Sequence, residues 1–242
     1  MRADICARFG VGVALAAAAA AQDPSFSRTA ESCRELVSTG SNDPAALYRA
    51  GLCFEEVRDL ASAVNAYRQA GSLGFQPATA TVRQAGIFLV TGQPERALAE
   101  IRRAPEQDCG APKMHQLDFW IGEWDLSSGG RRFGTSRVEP VIGGCALLER
   151  LTRESGEVIL TLLFYDPVTR KWHAHGANKA ESSESSGEFT EGAMHLSGTR
   201  PFPHRRTVSP RTTANVRHNT ETPAGGGAGW TTVRDVNYVR RK

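Results

Sequence analysis

The chain has 242 residues, of which 40% are hydrophobic and 23% are charged, a balance typical of one or two globular domains. Lysine and arginine number 29 against 26 acidic residues, so the net charge of +3 is too small and too dispersed to predict nucleic acid as the main partner. The only long apolar run, residues 9–21, is shorter than the ~20 residues that cross a bilayer. No membrane span is therefore predicted.

The first 21 residues have the composition of a secretory signal peptide. Arg2 and Arg8 precede an alanine-rich apolar core that ends at Ala21, and Gln22 begins a polar segment. A positive region, an apolar core and small residues at the exit follow one another in the order expected of a signal peptide, which favours this interpretation over a short buried helix. The sequence predicts a protein that is periplasmic or secreted, with residues 1–21 removed.

Four cysteines follow this segment, namely Cys33, Cys53, Cys109 and Cys145. An even number of cysteines in an oxidising compartment predicts disulfide bonds. Of the three possible pairings, the simplest puts one bridge in each predicted domain, Cys33–Cys53 and Cys109–Cys145, and buried free thiols are the alternative. No cysteine or histidine cluster has the spacing of a zinc site, so no metal site is predicted.

Residues 22–108 are predicted to form a helical module. Asp43 and Pro44 begin one helix, as an N-cap and a first-turn proline, and residues 27–39 form a helix before it. Two copies of one pattern of small and large residues follow. The pattern consists of Leu47, Ala50, Gly51, Phe54, Ala63, Tyr67 and Ala70 in the first copy, and of Val82, Ala85, Gly86, Leu89, Ala97, Ile101 and Ala104 in the second.

This pattern resembles the tetratricopeptide repeat, in which glycine and alanine let two antiparallel helices approach closely. Residues 92–95 form the turn between the two helices of the second copy. Two copies are fewer than the roughly three that a free-standing solenoid needs, so the module needs a further surface to pack against. Two interpretations stay open: a groove that binds a peptide or protein partner, and a cap that packs on the C-terminal domain.

Residues 109–242 change to short alternating runs separated by glycine, proline and serine. Ten antiparallel strands predict a closed barrel or sandwich of about eight to ten strands, so the fold class is α+β with two domains. The predicted strands are Gly122–Leu126, Thr135–Val141, Cys145–Arg153, Val158–Tyr165, Lys171–Ala177, Gly187–Thr190, Ala193–Gly198, Arg206–Ser209, Asn215–Glu221 and Trp230–Arg240.

The segment Leu117–Leu126, LDFWIGEWDL, resembles the opening of a bacterial family of unknown function with a lipocalin-like, or calycin, barrel. The resemblance covers residues 115–242. Further blocks that agree in order are GGCALLER at 143–150, FYDP at 164–167, KWH at 171–173, EGAM at 191–194, and GWTT and YVRR near the C-terminus.

The pair Gly122 and Trp124 is similar to the Gly-x-Trp motif of lipocalins. The resemblance implies that Trp124 closes the barrel floor and stacks under an arginine of the last strand, Arg240 or Arg241. The sequence departs from the family in the serine- and glutamate-rich residues 178–188, so no particular ligand is implied.

No catalytic residues are predicted, because none of the common nucleophile, phosphate-loop or zinc-protease motifs is present. His173 and His175 share one face of a predicted strand, and His195 could complete a metal site with them. Rim or exposed histidines are the favoured interpretation, since no carboxylate or cysteine spacing supports coordination. No motif indicates haem, and no cofactor is predicted.

The predicted function is an exported, non-enzymatic protein whose barrel binds a small apolar or amphipathic ligand and whose helices contact a protein partner. A barrel of this size can enclose one small ligand, and Tyr165, Trp172 and His173 are the predicted lining residues. One alternative is a hydrolase or isomerase that uses His173, Tyr165 and Asp166 at the barrel mouth. The other is a structural envelope protein whose barrel is filled by its own side chains.

Overall fold

The computed structural model describes residues 29–39, 42–104, 109–225 and 229–242. The predicted signal peptide lies outside the described residues. Within the described ranges, no helix is long and apolar enough to cross a membrane. The described chain begins with helices and continues as an all-antiparallel barrel, which confirms the predicted α+β layout.

Five helices form the first part of the described chain. Asp43 caps the second, because its carboxylate accepts a hydrogen bond from the Ala45 amide at 2.9 Å, and Pro44 occupies the first turn as predicted. The predicted turn at residues 92–95 lies between the last two helices. The helices are α1 (Ala30–Thr39), α2 (Pro44–Glu56), α3 (Leu60–Ser72), α4 (Pro77–Val90) and α5 (Pro94–Arg103).

Ten strands form a closed barrel in which each strand pairs with its neighbours in sequence and the first pairs with the last. Closure leaves no unpaired edge to template aggregation. The strands are β1 (Gly122–Ser128), β2 (Arg131–Val141), β3 (Ala146–Arg153), β4 (Val158–Asp166), β5 (Lys171–Ala177), β6 (Ser182–Thr190), β7 (Ala193–Arg200), β8 (His204–Thr212), β9 (Asn215–Pro223) and β10 (Trp230–Arg240).

Strand β6 begins five residues earlier than its sequence predicts, at Ser182 instead of Gly187. The serine- and glutamate-rich segment pairs residue by residue with β5, from Gly187 opposite Trp172 to Ser182 opposite Ala177. Closure of the barrel requires every strand to match the length of both neighbours, and this requirement outweighs the low strand propensity of the segment. Strands β2 and β8 also begin earlier than predicted, at Arg131 and His204.

Strand β4 is apolar on both faces, and each face belongs to a different core. Leu163 faces the barrel interior, where it joins the cluster that contains Trp124 and Tyr238. Leu162 and Phe164 face outward and join the core of the helices. The helical module therefore shares an apolar core with the outer face of the barrel, separate from the core of the barrel interior, and α4 lies across β4, β5 and β6.

The glycines of the two repeat copies pack against different parts of the molecule. Gly51 of α2 lies against the ring of Tyr67 on α3, so a side chain at this position would overlap that ring. Gly86 of α4 instead lies against the ring of His175 on the outer face of β5. The glycine of the second copy therefore lets a helix approach the barrel, which is the packing expected of a cap.

Two cysteine pairs lie at disulfide distance. Cys33 of α1 and Cys53 of α2 have Cα atoms 5.6 Å apart, and Cys109 and Cys145 have Cα atoms 5.1 Å apart. The first pair links two adjacent helices. The second links the segment before the barrel to the residue that precedes β3.

Candidate functional site

The closed end of the barrel is built around Trp124, which is fully buried. Its indole nitrogen donates to the Trp120 carbonyl at 2.9 Å, and the Arg240 guanidinium lies 4.3 Å from the ring centroid. Arg240 also donates to the Ile121 carbonyl at 2.8 Å. Gly122, at φ 142°, leaves the space that the guanidinium occupies. Arg240, and not Arg241, therefore covers this end.

Tyr165 and Trp172, two of the predicted lining residues, lie side by side on the interior face of β4 and β5. The Trp172 indole donates to the Gln116 side chain at 3.0 Å, and the Lys113 ammonium lies 5.5 Å from the Tyr165 ring centroid. These residues border a cleft of about 260 Å³. The interior beyond them is filled by the large side chains of the closed end.

His173, the third predicted lining residue, faces the helices on the opposite side of the strand. It belongs to a buried network centred on Arg83 of α4, whose guanidinium lies 3.0 Å from the His173 Nε2 atom. The Arg83 Nε atom donates to Asp166 at 3.1 Å, and its Nη1 atom donates to Glu55 at 2.8 Å. Tyr48 donates to the same Asp166 oxygen at 3.0 Å.

The central ion pair of this network, Arg83 and Asp166, has partners for its charges. Arg83 and Asp166 are both nearly inaccessible to solvent, and each has charged or hydrogen-bonding partners, as buried charges require. Burial and the charge of Arg83 lower the pKa of His173 well below its usual range, so the imidazole is neutral and can accept a hydrogen bond. The arrangement fastens α4 to the barrel. Asp166 and His173 thus lie at the interface between the two parts of the molecule.

His173, His175 and His195 do not come together at one site. Burial, with the charge of Arg83, lowers the pKa of His175 to about 4, and its ring packs against α4. His195 is exposed on β7. Within the residues that the structure describes, no group of three histidine, cysteine or carboxylate side chains could hold a metal ion.

The open end of the barrel contains a pocket of about 150 Å³ whose wall includes two buried nitrogen atoms without partners. The Arg206 Nη2 atom donates to Ser183 at 2.9 Å, but its Nε atom is buried and has no hydrogen-bond partner among the described residues. The same holds for the Nε2 atom of His204. Arg153 and Arg234 also line this pocket.

Glu149 is the only acidic side chain buried in the barrel interior among the described residues, and its charge acts on Arg206 without a hydrogen bond between them. Its Oε1 atom accepts hydrogen bonds from Ser136 at 2.8 Å and from Tyr238 at 2.9 Å. Burial raises its pKa. Burial, together with the neighbouring charge of Arg234, lowers the pKa of Arg206. The interior of the open end therefore has two guanidinium groups, Arg206 and Arg234, against one buried carboxylate, whereas Arg153 in the same wall is paired with Glu157.

A second, shallower pocket of about 540 Å³ adjoins the first and shares Arg153 and Arg234 with it. Arg131 and Arg132 contribute further positive charge to its wall, and Phe133 is among its apolar residues. The two pockets together form the mouth of the barrel. This arrangement can hold an anion, because guanidinium groups offer several N–H donors to carboxylate, sulfate or phosphate oxygens.

Sequence reasoning did not select this site. Arg206 and Arg234 lie on different strands, Arg206 between Arg205 and Thr207 and Arg234 between Val233 and Asp235, and no local motif marks either of them. Strand alternation was the available signal, since Arg206 shares a face with the buried Val208 and Arg234 shares a face with the buried Val236.

No protein-family model matches the chain, and a search of curated proteins found no similar sequence. The fold and the geometry together define the class of molecule: a helical module packed on a closed ten-stranded antiparallel barrel with an arginine-lined mouth.

Proposed function

We propose that the protein is an exported, non-enzymatic binding protein whose barrel holds a small amphipathic anion at its open end. The observation that carries the proposal is the buried N–H of Arg206 Nε, which has no acceptor among the described residues and lies in the wall of this pocket. A buried donor without an acceptor destabilises a folded protein by about 1–3 kcal/mol. A ligand oxygen would supply the missing acceptor.

The charge balance supports an anionic ligand. Arg206 and Arg234 act on one another across the pocket, and the nearby carboxylate of Glu149 is engaged by Ser136 and Tyr238. A bound anion would reduce the repulsion between the two guanidinium groups. A neutral ligand would leave that repulsion in place.

The size and lining of the pocket support an amphipathic ligand with a small head group. A volume of about 150 Å³ is comparable to cavities that hold a benzene-sized molecule. Ile159, Ala177 and Phe202 give this pocket apolar wall area, and Phe133 and Val236 do the same in the adjoining pocket. The anionic group would occupy the inner pocket and a short apolar chain the outer one.

Export and the helical module complete the proposal. Two cysteine pairs at disulfide distance support an oxidising compartment, either periplasmic or extracellular. The packing of α4 on the barrel supports a role for the tetratricopeptide-like helices as a cap on a calycin-like barrel. A protein partner for the helices stays a prediction.

The two alternative functions are less well supported by the geometry. The residues proposed for a barrel-mouth enzyme lie apart from the mouth, since Asp166 and His173 are engaged by Arg83 at the helical interface. A purely structural barrel would be filled with its own side chains. The closed half fits that description, whereas the open half has a charged pocket.

Calorimetric titration with octanoate tests the proposal, with 1-octanol as the uncharged probe of the same chain length. We expect octanoate to bind and octanol to bind at least about tenfold more weakly, because a hydrogen bond to a charged group contributes about 1.5–3 kcal/mol. Arg206→Gln should weaken octanoate binding by a similar factor.

Arg205→Gln is the matched control, since Arg205 is the sequence neighbour of Arg206 but is exposed and lies over the Trp230 ring. It should leave octanoate binding unchanged. Equal affinity for octanoate and octanol, or an equal loss in the two arginine variants, would overturn the proposal.

A further inference from the structure

The rim of the open end has large apolar side chains that are exposed. Phe202, in the β7–β8 turn, and Val233, near the start of β10, are 48% and 56% exposed, and Trp230 and Val158 are each 36% exposed. In the up-and-down topology, the turn and the strand ends that contain these residues all lie at one end of the barrel. We call these four residues the open rim.

The open rim is surrounded by arginines. The Arg205 guanidinium lies 4.0 Å from the centroid of the Trp230 ring, and Arg131 and Arg200 are exposed on the adjacent hairpins. Arg132 is also exposed, and its ion pairs with Asp125 and Glu154 are solvent-accessible, so they hold its charge only weakly. Arginines and exposed apolar side chains therefore lie at the same end of the barrel, together with the acidic residues Glu154, Glu157 and Glu181.

We propose that the open rim docks on the surface of a bilayer that contains anionic lipids. Exposed tryptophan beside arginine is the combination that lies at the boundary between lipid headgroups and acyl chains, and the positive charge is complementary to an anionic leaflet. The apolar side chains belong to three different hairpins, because Val158 begins β4, Phe202 lies between β7 and β8, and Trp230 and Val233 lie on β10. That distribution suits a planar, fluid surface better than a single protein partner.

This inference goes beyond the binding of a soluble anion and does not depend on it. Docking through the rim would place the arginine-lined pocket at the membrane surface. An amphipathic anion could then pass between the bilayer and the pocket without crossing bulk water.

The tryptophans provide a direct readout. Trp120, Trp124 and Trp172 are 1%, 0% and 2% exposed, so a change in tryptophan emission on addition of vesicles reports on Trp230. We expect a blue shift, and quenching by brominated lipid, with vesicles of phosphatidylcholine and phosphatidylglycerol. Vesicles of phosphatidylcholine alone should give a much smaller response. Added salt should reverse the binding because it screens exposed charges.

Variants of exposed residues separate the rim from the rest of the surface. Arg205→Gln should weaken binding to the anionic vesicles by about fivefold, the effect expected of one arginine near an anionic surface. The double variant Phe202→Ser and Val233→Ser should weaken it by about tenfold or more. Val239→Ser is the matched control, since Val239 is 47% exposed at the closed end, and it should bind like the parent.

Arg206→Gln separates this inference from the proposed function. It should weaken octanoate binding by about tenfold and keep vesicle binding, because Arg206 faces the pocket. Trp230→Phe should abolish the emission change and leave sedimentation with vesicles within about threefold of the parent. Equal binding to neutral and anionic vesicles, an unchanged Trp230 emission, or a loss in Val239→Ser as large as in the rim variants would overturn the inference.

Discussion

The two ends of the barrel use their interior side chains in opposite ways. At the closed end, Trp120 and Tyr238 pack edge to face at 5.5 Å, and Trp124 has a hydrogen bond and a cation over its ring. At the open end, Arg206 and His204 have buried nitrogen atoms without partners. Trp120 and His218 at the closed end also have buried nitrogen atoms without partners, so the two ends differ in charge: aromatic rings fill the closed end, whereas arginines line the pocket of the open end.

The network around Arg83 can be compared with the pocket around Arg206. Arg83 and Arg206 are both arginines in poorly solvated places, but Arg83 contacts Asp166, Glu55 and His173. Arg206 donates only to Ser183 through its side chain within the described residues. The first arginine is therefore a structural link between helix and barrel, and the second is available to a ligand.

The largest effect is expected from Trp124→Ala at the closed end. Truncation of a buried tryptophan destabilises a protein by about 3–5 kcal/mol, a large part of the ~5–15 kcal/mol that holds a domain folded. Because helices and barrel share an apolar core, thermal denaturation followed by circular dichroism should show one transition at a much lower temperature. Trp230→Phe at the exposed open rim is the control and should change the midpoint little. Similar melting midpoints in the two variants would contradict the expected difference in stability between the two ends.

Asp166→Asn tests whether the satisfied arginine stabilises the fold. Loss of this carboxylate leaves Arg83 buried with less compensation, and the free energy of unfolding should fall by about 3 kcal/mol in denaturant titrations. Asp125→Asn removes an exposed ion pair with Arg132 and should cost less than about 1 kcal/mol. An equally small loss in Asp166→Asn would mean that the interface does not depend on the network.

The pH dependence of the unfolding free energy tests whether His218, at the boundary between the two ends, is buried in its neutral form. His218 contacts Trp120 and Tyr238 of the closed end, and burial together with the charges of Arg206 and Arg234 lowers its pKa from 6.5 to about 3. The unfolded chain therefore binds this proton at a higher pH than the folded chain. Stability that is present above pH 6.5 is lost as the pH falls towards 3, by up to about 1.4 kcal/mol per pH unit.

His218→Phe should reduce this loss, because phenylalanine keeps the ring contacts and does not titrate. The measurement is the unfolding free energy of the parent and the variant at pH 7 and pH 4.5. His195→Phe, at an exposed position on β7, should follow the parent. A variant at position 218 that loses as much stability in acid as the parent would show that this histidine is not buried in its neutral form.

Arg206→Gln should have the smallest effect on stability. The side chain has few partners and is repelled by Arg234, so we expect the unfolding free energy to change by less than about 1 kcal/mol. Octanoate should raise the midpoint of the parent and not that of the variant, since ligand binding to the folded state stabilises it. A large destabilisation would indicate that Arg206 belongs to the structural part of the barrel.

Local patterns in the sequence were sufficient for the fold. Asp43 before Pro44 marked the start of α2, and period-two alternation identified all ten strands. The length of β6 could not be read in this way, because pairing with β5 and not side-chain polarity determines it.

The candidate site was much less predictable. Tyr165 and Trp172 are aromatic and interior, but His173 alternates to the outer face and meets Arg83, which is 90 residues away in the chain. The mouth pocket depends on Arg206 and Arg234 coming together from different strands. Local periodicity gives the face on which a residue lies, whereas the pairing of distant charges is a property of the closed barrel.

The most direct test of the account is a crystal structure with 8-bromooctanoate, in which anomalous scattering locates the bromine. The account predicts a carboxylate within hydrogen-bonding distance of Arg206 Nε, with the bromine in the outer pocket beside Phe133. Electron density for the ligand in the cleft beside Tyr165 and Trp172, with the Arg206 pocket holding only water, would contradict it.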